Sequence, residues 1–521
     1  MIKHKRFLAF LLPILIVSAI IIPHIDLENV SAQEQTDNFV NVKDFGAKGN
    51  GLVDETDAII AAINSVKDTG GTVFFPSGVY RITLGNIFVP SGVSIVGTLG
   101  ATTGPWQNYL DAQDKTKVNH GFVVGSASTF IKVSMLKGSW IVAAHGEGEA
   151  DADATFYLDG NTSFSKIGFV SLFASPLINS TFASPPHIAV DTSKMTDKKG
   201  PINITDVSLS NCYTGIAVTQ GDGVDTFNLG EDKQPVSIGK VTIKNVMGSP
   251  MHTGILVKGI ASKVAIENVQ FNYATYNTKY VEERTLYAHD IVLAAASDVT
   301  VDRVLSFGAE AGLKTEKAYK NTGVNLKATG LNLENRFPVH LTAAGNYDIR
   351  SSYFFVINYA NKRNETFYRA LYITDDEDST VKSSYTFKNI FLQDVGAGNG
   401  LDLNNAQYNN AFIDITVKDN AAALFENVET YGYDNSPEPN AMIYYTHNGT
   451  GTSSGIFRNI NTIFSYTNQP LITVGGTGYK NGEAVMEYCR FTSSNVIPDD
   501  NSVKFVYCTQ NSSQTNTLIN N

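Results

Sequence analysis

A chain of 521 residues with 43 Gly, 24 Tyr, 29 Phe and only 17% charged residues suits β structure with many tight turns, and excludes helical bundles and long disordered tracts. The formal net charge of −11 argues against nucleic acid as a partner, because phosphate neutralisation needs clustered Lys and Arg. An anionic polymer could then bind only at a local basic patch or through bridging cations.

The first segment reads as a secretory signal. Lys3, Lys5 and Arg6 precede an apolar run from Phe7 to Ile22, and Val30-Ser31-Ala32 offers a small-residue cleavage site, with the cut after Ala32. The run is short for a membrane span and Pro13 interrupts it, so residues 1–32 are expected to be removed and the mature chain to be secreted, with no membrane attachment. Removing three basic and two acidic residues takes away +1 and leaves −12.

Residues 33–97 are expected to form an N-terminal cap and first coils. Val42-Lys43-Asp44-Phe45-Gly46-Ala47-Lys48-Gly49-Asn50-Gly51 leads into Asp54-Glu55-Thr56-Asp57-Ala58-Ile59, then Gly70-Gly71-Thr72-Val73-Phe74-Phe75-Pro76. Asp54 or Thr56 can cap a helix over Thr56–Val66, whose apolar face is Ala58, Ile59, Ala62, Ile63 and Val66. The acidic residues here are read as caps and turns. This opening resembles that of the pectate lyase superfamily, which includes polygalacturonase-like (glycosyl hydrolase family 28-related) enzymes and many phage tailspikes. The resemblance covers roughly residues 40 to 97 and implies a right-handed parallel β-helix acting on polysaccharide. Family catalytic signatures do not follow it: Asp375-Asp376 lacks its companions, and Arg336-Phe337-Pro338 has no second arginine.

Residues 98–165, with Trp140 and His145-Gly146-Glu147, are expected to form a variable insertion or lid. From about Lys166 a motif of alternating apolar and polar residues recurs, as in Val241-Thr242-Ile243-Lys244-Asn245-Val246, Val264–Val269, Phe387–Ile390, Phe425–Val428 and Phe457–Ile460. A second alternating run follows nearly every copy. Fixed strand units at irregular spacing mark stacked coils, with insertions leaving on one side. Residues 166–521 are therefore expected to form the coils of an all-β, right-handed parallel β-helix, about eleven coils with the short capping helix at its N-terminal end. Asn245, Asn268, Asn335, Asn389, Asn427 and Asn459 are assigned to one corner as a stacked amide ladder.

Aligning the second strands by their inward aliphatics puts Leu256, Val292, Asn325, His340, Tyr372 and Asp402 in one outward column, with Asp290, Lys327 and Asn404 beside it. The switch from apolar to polar, with an aromatic beside His and Asp, is what a sugar-binding groove needs. Asp402, His340 and Asp290 are the candidate catalytic groups, and Tyr372, Asn325, Lys327 and Asn404 the candidate substrate-binding ones. The expected function is a secreted enzyme cleaving glycosidic bonds, with hydrolysis favoured over β-elimination. A Ca2+-dependent lyase and a non-catalytic carbohydrate-binding surface protein are the alternatives. Gly221-Asp222-Gly223-Val224-Asp225 and Asp375-Asp376-Glu377-Asp378 offer oxygen ligands for Ca2+, but a solvated acidic turn explains them as well, and no metal site is assigned. The partner is polysaccharide and the protein a monomer or homotrimer. Cys489 and Cys508 either pair or remain buried thiols.

Overall fold

The computed structural model describes residues 38–99, 138–172, 183–210, 212–225, 227, 231–272, 284–357, 369–375, 380–394, 411–431, 441–462, 470–492, 496–498, 501–511 and 516–519. The expected signal segment therefore lies outside the described residues. The chain divides into Met1–Phe39 and Val40–Asn521, and the second unit carries the coil. Among the described residues, no helix is long and apolar enough to cross a membrane.

The alternating runs form strands that stack on the strands one coil before and after, and the pairings are parallel up to the last, where Cys508–Asn511 meets Asn516–Ile519 antiparallel. This is the expected parallel β-helix. Three outer faces result. A leading face and a trailing face come from the two halves of one bent strand, such as Val241–Ser249, and a third comes from the second run, such as Phe337–Leu341. The inward residues of the leading halves make one continuous column through Ile204, Ile243, Ile266, Val301, Ala328, Ile349, Phe387, Phe425, Phe457, Met486 and Phe505. Phe387, Phe425 and Phe457 in it stack face to face, with centroids 5.1 and 5.2 Å apart and planes within 2° and 6°.

The corner between the two halves is a left-handed residue. Asn245, Asn268, Asn389, Asn427 and Asn459 hold it with φ between 52° and 57°, the conformation asparagine tolerates best after glycine. Their amides form two short ladders: Asn268 Nδ2 donates to Asn245 at 2.8 Å, and further along Asn427 donates to Asn389 at 2.9 Å and Asn459 to Asn427 at 2.8 Å. Asn335 belongs to neither. Gly330 (φ 65°) makes that corner, while Asn335 ends the strand Val324–Asn335 and donates to Ser306 Oγ. Asn427→Ala is expected to destabilise by about 1–2 kcal/mol, from the left-handed alanine and the broken ladder, as denaturant titration would read.

The helix Thr56–Val66 forms as expected and places Ile59, Ala62, Ile63 and Val66 in the coil's apolar core. The residue at its N-cap is Glu55, whose carboxylate turns back to accept from Lys48 and Gly49 backbone N–H groups (3.0 and 2.8 Å). Asp54 accepts from Thr56 and Thr83. These acids are structural, as read.

The expected insertion needs correction. Ser139–Ala143, Phe156–Leu158 and Thr162–Ser165 are coil strands, paired with strands before and after them. Trp140 is buried beneath Val79 and Val170, and Gly168 makes room for it, since a Cβ there would meet the indole at 2.5 Å. Residues 100–137 lie outside the described residues. Cys212, Cys489 and Cys508 are buried free thiols.

Candidate active site

The third face carries the chemistry. Its central outward column runs Tyr157, Ala189, Ala217, Leu256, Val292, Lys314, His340, Tyr372, Asp414, Tyr444 and Thr473, each in register with the next. The expected apolar-to-polar switch is present and falls between Val292 and Lys314. Ahead of it Ala217, Leu256 and Val292 are packed under Ala150 and Val224. The loop that brings Val224 is pinned by Lys258, whose fully buried ammonium lies 3.2 Å from Asp222, and by Tyr319 Oη, which donates to Asp222 at 2.5 Å. Asp225 accepts from Tyr213 at 3.2 Å. The acids of this turn are thus engaged by side chains of the protein. Among the described residues, no cluster of three or more His, Cys, Asp and Glu is arranged to hold a metal ion.

Beyond the switch the face is polar and partly open. His340 and Tyr372 stack with centroids 4.7 Å apart and planes 23° apart, and Phe337 sits against both at 5.7 and 6.0 Å. Arg369 lies over the Tyr372 ring at 4.2 Å and pairs with Asp414, Nε to Oδ2, at 2.6 Å. On the other side Lys314 Nζ is 2.6 Å from Glu316 and 3.3 Å from His289 Nε2, which in turn is 3.0 Å from Glu310 Oε2. His252 continues the row, edge-on to His289 at 5.8 Å and stacked on Tyr213 at 4.3 Å.

Electrostatics follow from this crowding. Burial, reinforced by Lys314, His289 and Arg369, pushes the His340 imidazole down to about 3, so it is neutral at ordinary pH. Burial and the neighbouring His289 and Lys314 bring His252 to about 3 as well. Burial works to raise Glu310, but its hydrogen bond with His289 and the charges of Lys314 and Arg336 hold it below its usual value. Burial raises Asp414, partly offset by Arg369. The groove thus offers a neutral imidazole, a phenol and two cations side by side, with each carboxylate already tied to a base.

Of the sequence-predicted residues, His340 and Tyr372 are neighbours in the groove. Asn325 and Lys327 are not there: they lie on the leading face, in register with Asn346 and Asp348, and Asn346 Nδ2 donates to Asn325 Oδ1 at 2.8 Å. Asp290 does not edge the groove either. It is fully buried, bound by Arg284 at 2.7 and 2.9 Å and by Ser306 at 2.5 Å, and it is the adjacent His289 that meets Lys314. Asp402 and Asn404 lie outside the described residues; the column position next to Tyr372 belongs to Asp414. The strand Ala311–Glu316, which carries Lys314 and follows directly on Glu310, is not among the strands expected from the sequence. Its text, Ala311-Gly312-Leu313-Lys314-Thr315, alternates only over four residues, and the next run, Gly323–Leu326, alternates as well. Arg369 precedes its strand and carried no periodic signal.

Residues 39–129 match the family model described as rhamnogalacturonase A/epimerase, pectate lyase-like. The N-terminal part of this parallel β-helix is thus similar to that family. Over 64 residues it is 53% identical to alginate lyase 7 of Azotobacter vinelandii, covering 11% of this chain and 8% of that protein. It is 47% identical over 64 residues to mannuronan C5-epimerase AlgE1 of the same organism, covering 11% and 5%. The chain thus spans less than a tenth of these relatives' length. A solved structure of DFA-IIIase from Arthrobacter chlorophenolicus A6 is similar at 11% identity and TM-score 0.49, covering 89% of this chain and 97% of that one.

Proposed function

We propose that this protein is a secreted enzyme acting on a uronic-acid polysaccharide, and that it removes the C5 proton of a uronate residue and cleaves the chain by β-elimination. The observation that carries this is the row Lys314, His340, Tyr372 with Arg369 over the ring. A uronate carboxylate lying between Lys314 and Arg369 would be neutralised, which acidifies the C5 proton. The same anion offsets the cations that, after burial, depress His340, and so raises its basicity when substrate is bound. His340 then takes the C5 proton, the C4=C5 double bond forms, the C4–O bond breaks, and Tyr372 gives the leaving oxygen its proton. Asp414 and Glu310 act as positioning residues for Arg369 and His289.

Hydrolysis, which the sequence alone favours, needs two carboxyl groups roughly 5–9.5 Å apart across the bond. Glu310, just ahead of the strand Ala311–Glu316, and Asp414 lie three strand steps apart, about 14 Å, and Glu310, Glu316 and Asp414 are each ion-paired. That supports elimination. The names of the alginate lyase and the mannuronan epimerase agree with a uronate substrate.

The test is ultraviolet absorbance of unsaturated product with alginate, polygalacturonate and a neutral glucan. The reading expects absorbance with at least one polyuronate and none with the glucan; reducing ends without absorbance would return the site to hydrolysis. Lys314→Met is expected to raise KM for the polyuronate roughly tenfold, the worth of one charge-assisted contact, and to flatten its salt dependence in steady-state assays.

A further inference from the structure

The trailing face holds a second constellation, separate from the groove. Its outward residues form two rows. One runs Phe307, Glu334, Phe355, Gln393, and the other Leu305, Asn332, Tyr353, Phe391, each in register across neighbouring strands. Tyr353 is nearly parallel to Phe391, with centroids 5.5 Å apart and planes 18° apart, and to Phe355 at 6.0 Å and 21°. These rings are only partly buried and present a flat aromatic surface. Tyr353 Oη donates to Gln393 Oε1 at 2.5 Å, which fixes the ring's attitude.

Two acceptors sit among these rings without donors among the described residues. Glu334 is 9% exposed, set between Phe307 and Phe355, and its carboxyl makes no hydrogen bond among the described residues. Beside it, Asn332 Oδ1 is buried and unbonded. A buried acceptor left without a donor costs roughly 1–3 kcal/mol, and native proteins keep few of them. A carboxyl between two phenylalanines, with no cation beside it among the described residues, has no evident structural role there. Burial alone brings Glu334 up to about 7.

We propose that this face is a second saccharide-binding site, which takes a neutral, hydroxyl-rich glycan. The apolar face of a sugar ring covers the Tyr353–Phe355–Phe391 platform, and its hydroxyls donate to the Glu334 carboxyl. An anionic sugar is disfavoured here, because the face offers a carboxyl where the groove offers Lys314 and Arg369. The site would anchor the enzyme on a neutral polymer while the groove works on a charged one.

Affinity gel electrophoresis with hydroxyethylcellulose, galactomannan or alginate in the gel tests this. The protein should be retarded by at least one neutral polymer. Tyr353→Ala, Phe355→Ala and Glu334→Gln should each weaken that retardation about tenfold, while His340→Ala leaves it unchanged. Where an aromatic deletion fails to fold, the volume-conserving Glu334→Gln decides. No retardation by either neutral polymer, or retardation that survives Glu334→Gln, overturns the proposal. Loss of retardation in His340→Ala would do the same, by placing the glycan in the groove. Failure of elimination activity leaves this experiment unaffected.

Discussion

His340→Ala is expected to lower kcat on a polyuronate by about 10²–10⁴, the usual worth of a general base, with KM changed far less. The imidazole is stacked on Tyr372 and next in register to Lys314, and its partial exposure lets a substrate reach it. Substituting it leaves the inward column untouched, so the melting temperature should stay near the parent's. The pH profile carries an independent signature. A free histidine near 6.5 would give kcat/KM an acidic limb there, whereas His340 in the free enzyme is held at about 3, so kcat/KM should persist well below pH 6. Stability moves the other way. His340, His252 and His187 all lie at about 3 when folded, chiefly through burial, and near 6.5 when unfolded. Between those values the unfolded chain binds more protons than the folded one. The stability they contribute is therefore complete above about pH 6.5 and is lost progressively as pH falls toward 3. Denaturant midpoints measured across that window should decline with acidity, and a flat profile would contradict the neutral assignment.

The second large effect concerns the fold. Phe425→Ala should destabilise by about 3–5 kcal/mol, as for deletion of a large buried aromatic. Phe425 is fully buried and stacked between Phe387 and Phe457, so its loss removes both faces of contact at once and leaves a void that neighbouring coils cannot close independently. Coils contact mainly their neighbours, so the loss should appear as local opening in hydrogen exchange around strands Ser384–Asp394 and Ser454–Thr462 before global unfolding. A change within about 0.5 kcal/mol, the usual surface range, would be inconsistent with this packing.

The fold was legible in the sequence because strand alternation and the corner asparagine repeat together. Wherever both signals coincide, as at Ile243-Lys244-Asn245 or Phe425-Glu426-Asn427, the register read from sequence matches the structure. It slipped where glycine replaced the corner asparagine: Gly330 makes the turn, and Leu331-Asn332-Leu333-Glu334-Asn335 imitates a full copy five residues late. That slip moved Asn325 and Lys327 from the leading face into the groove column and hid Lys314. His340 and Tyr372 survived because their strands are flanked by aliphatics that leave no other register. Arg369, Glu310 and His289 sit in turns or at strand ends, where period-two reasoning is silent. Asp290 illustrates a further limit: nothing in the text distinguishes an exposed aspartate from one buried against Arg284.

The most direct test of the groove's role is proton NMR of the products formed from a polyuronate in D2O. C5 proton abstraction at His340 predicts an olefinic C4 proton signal that grows with the parent protein and is absent with His340→Ala. Saturated reducing ends without that signal, or an olefinic signal undiminished in His340→Ala, would contradict it.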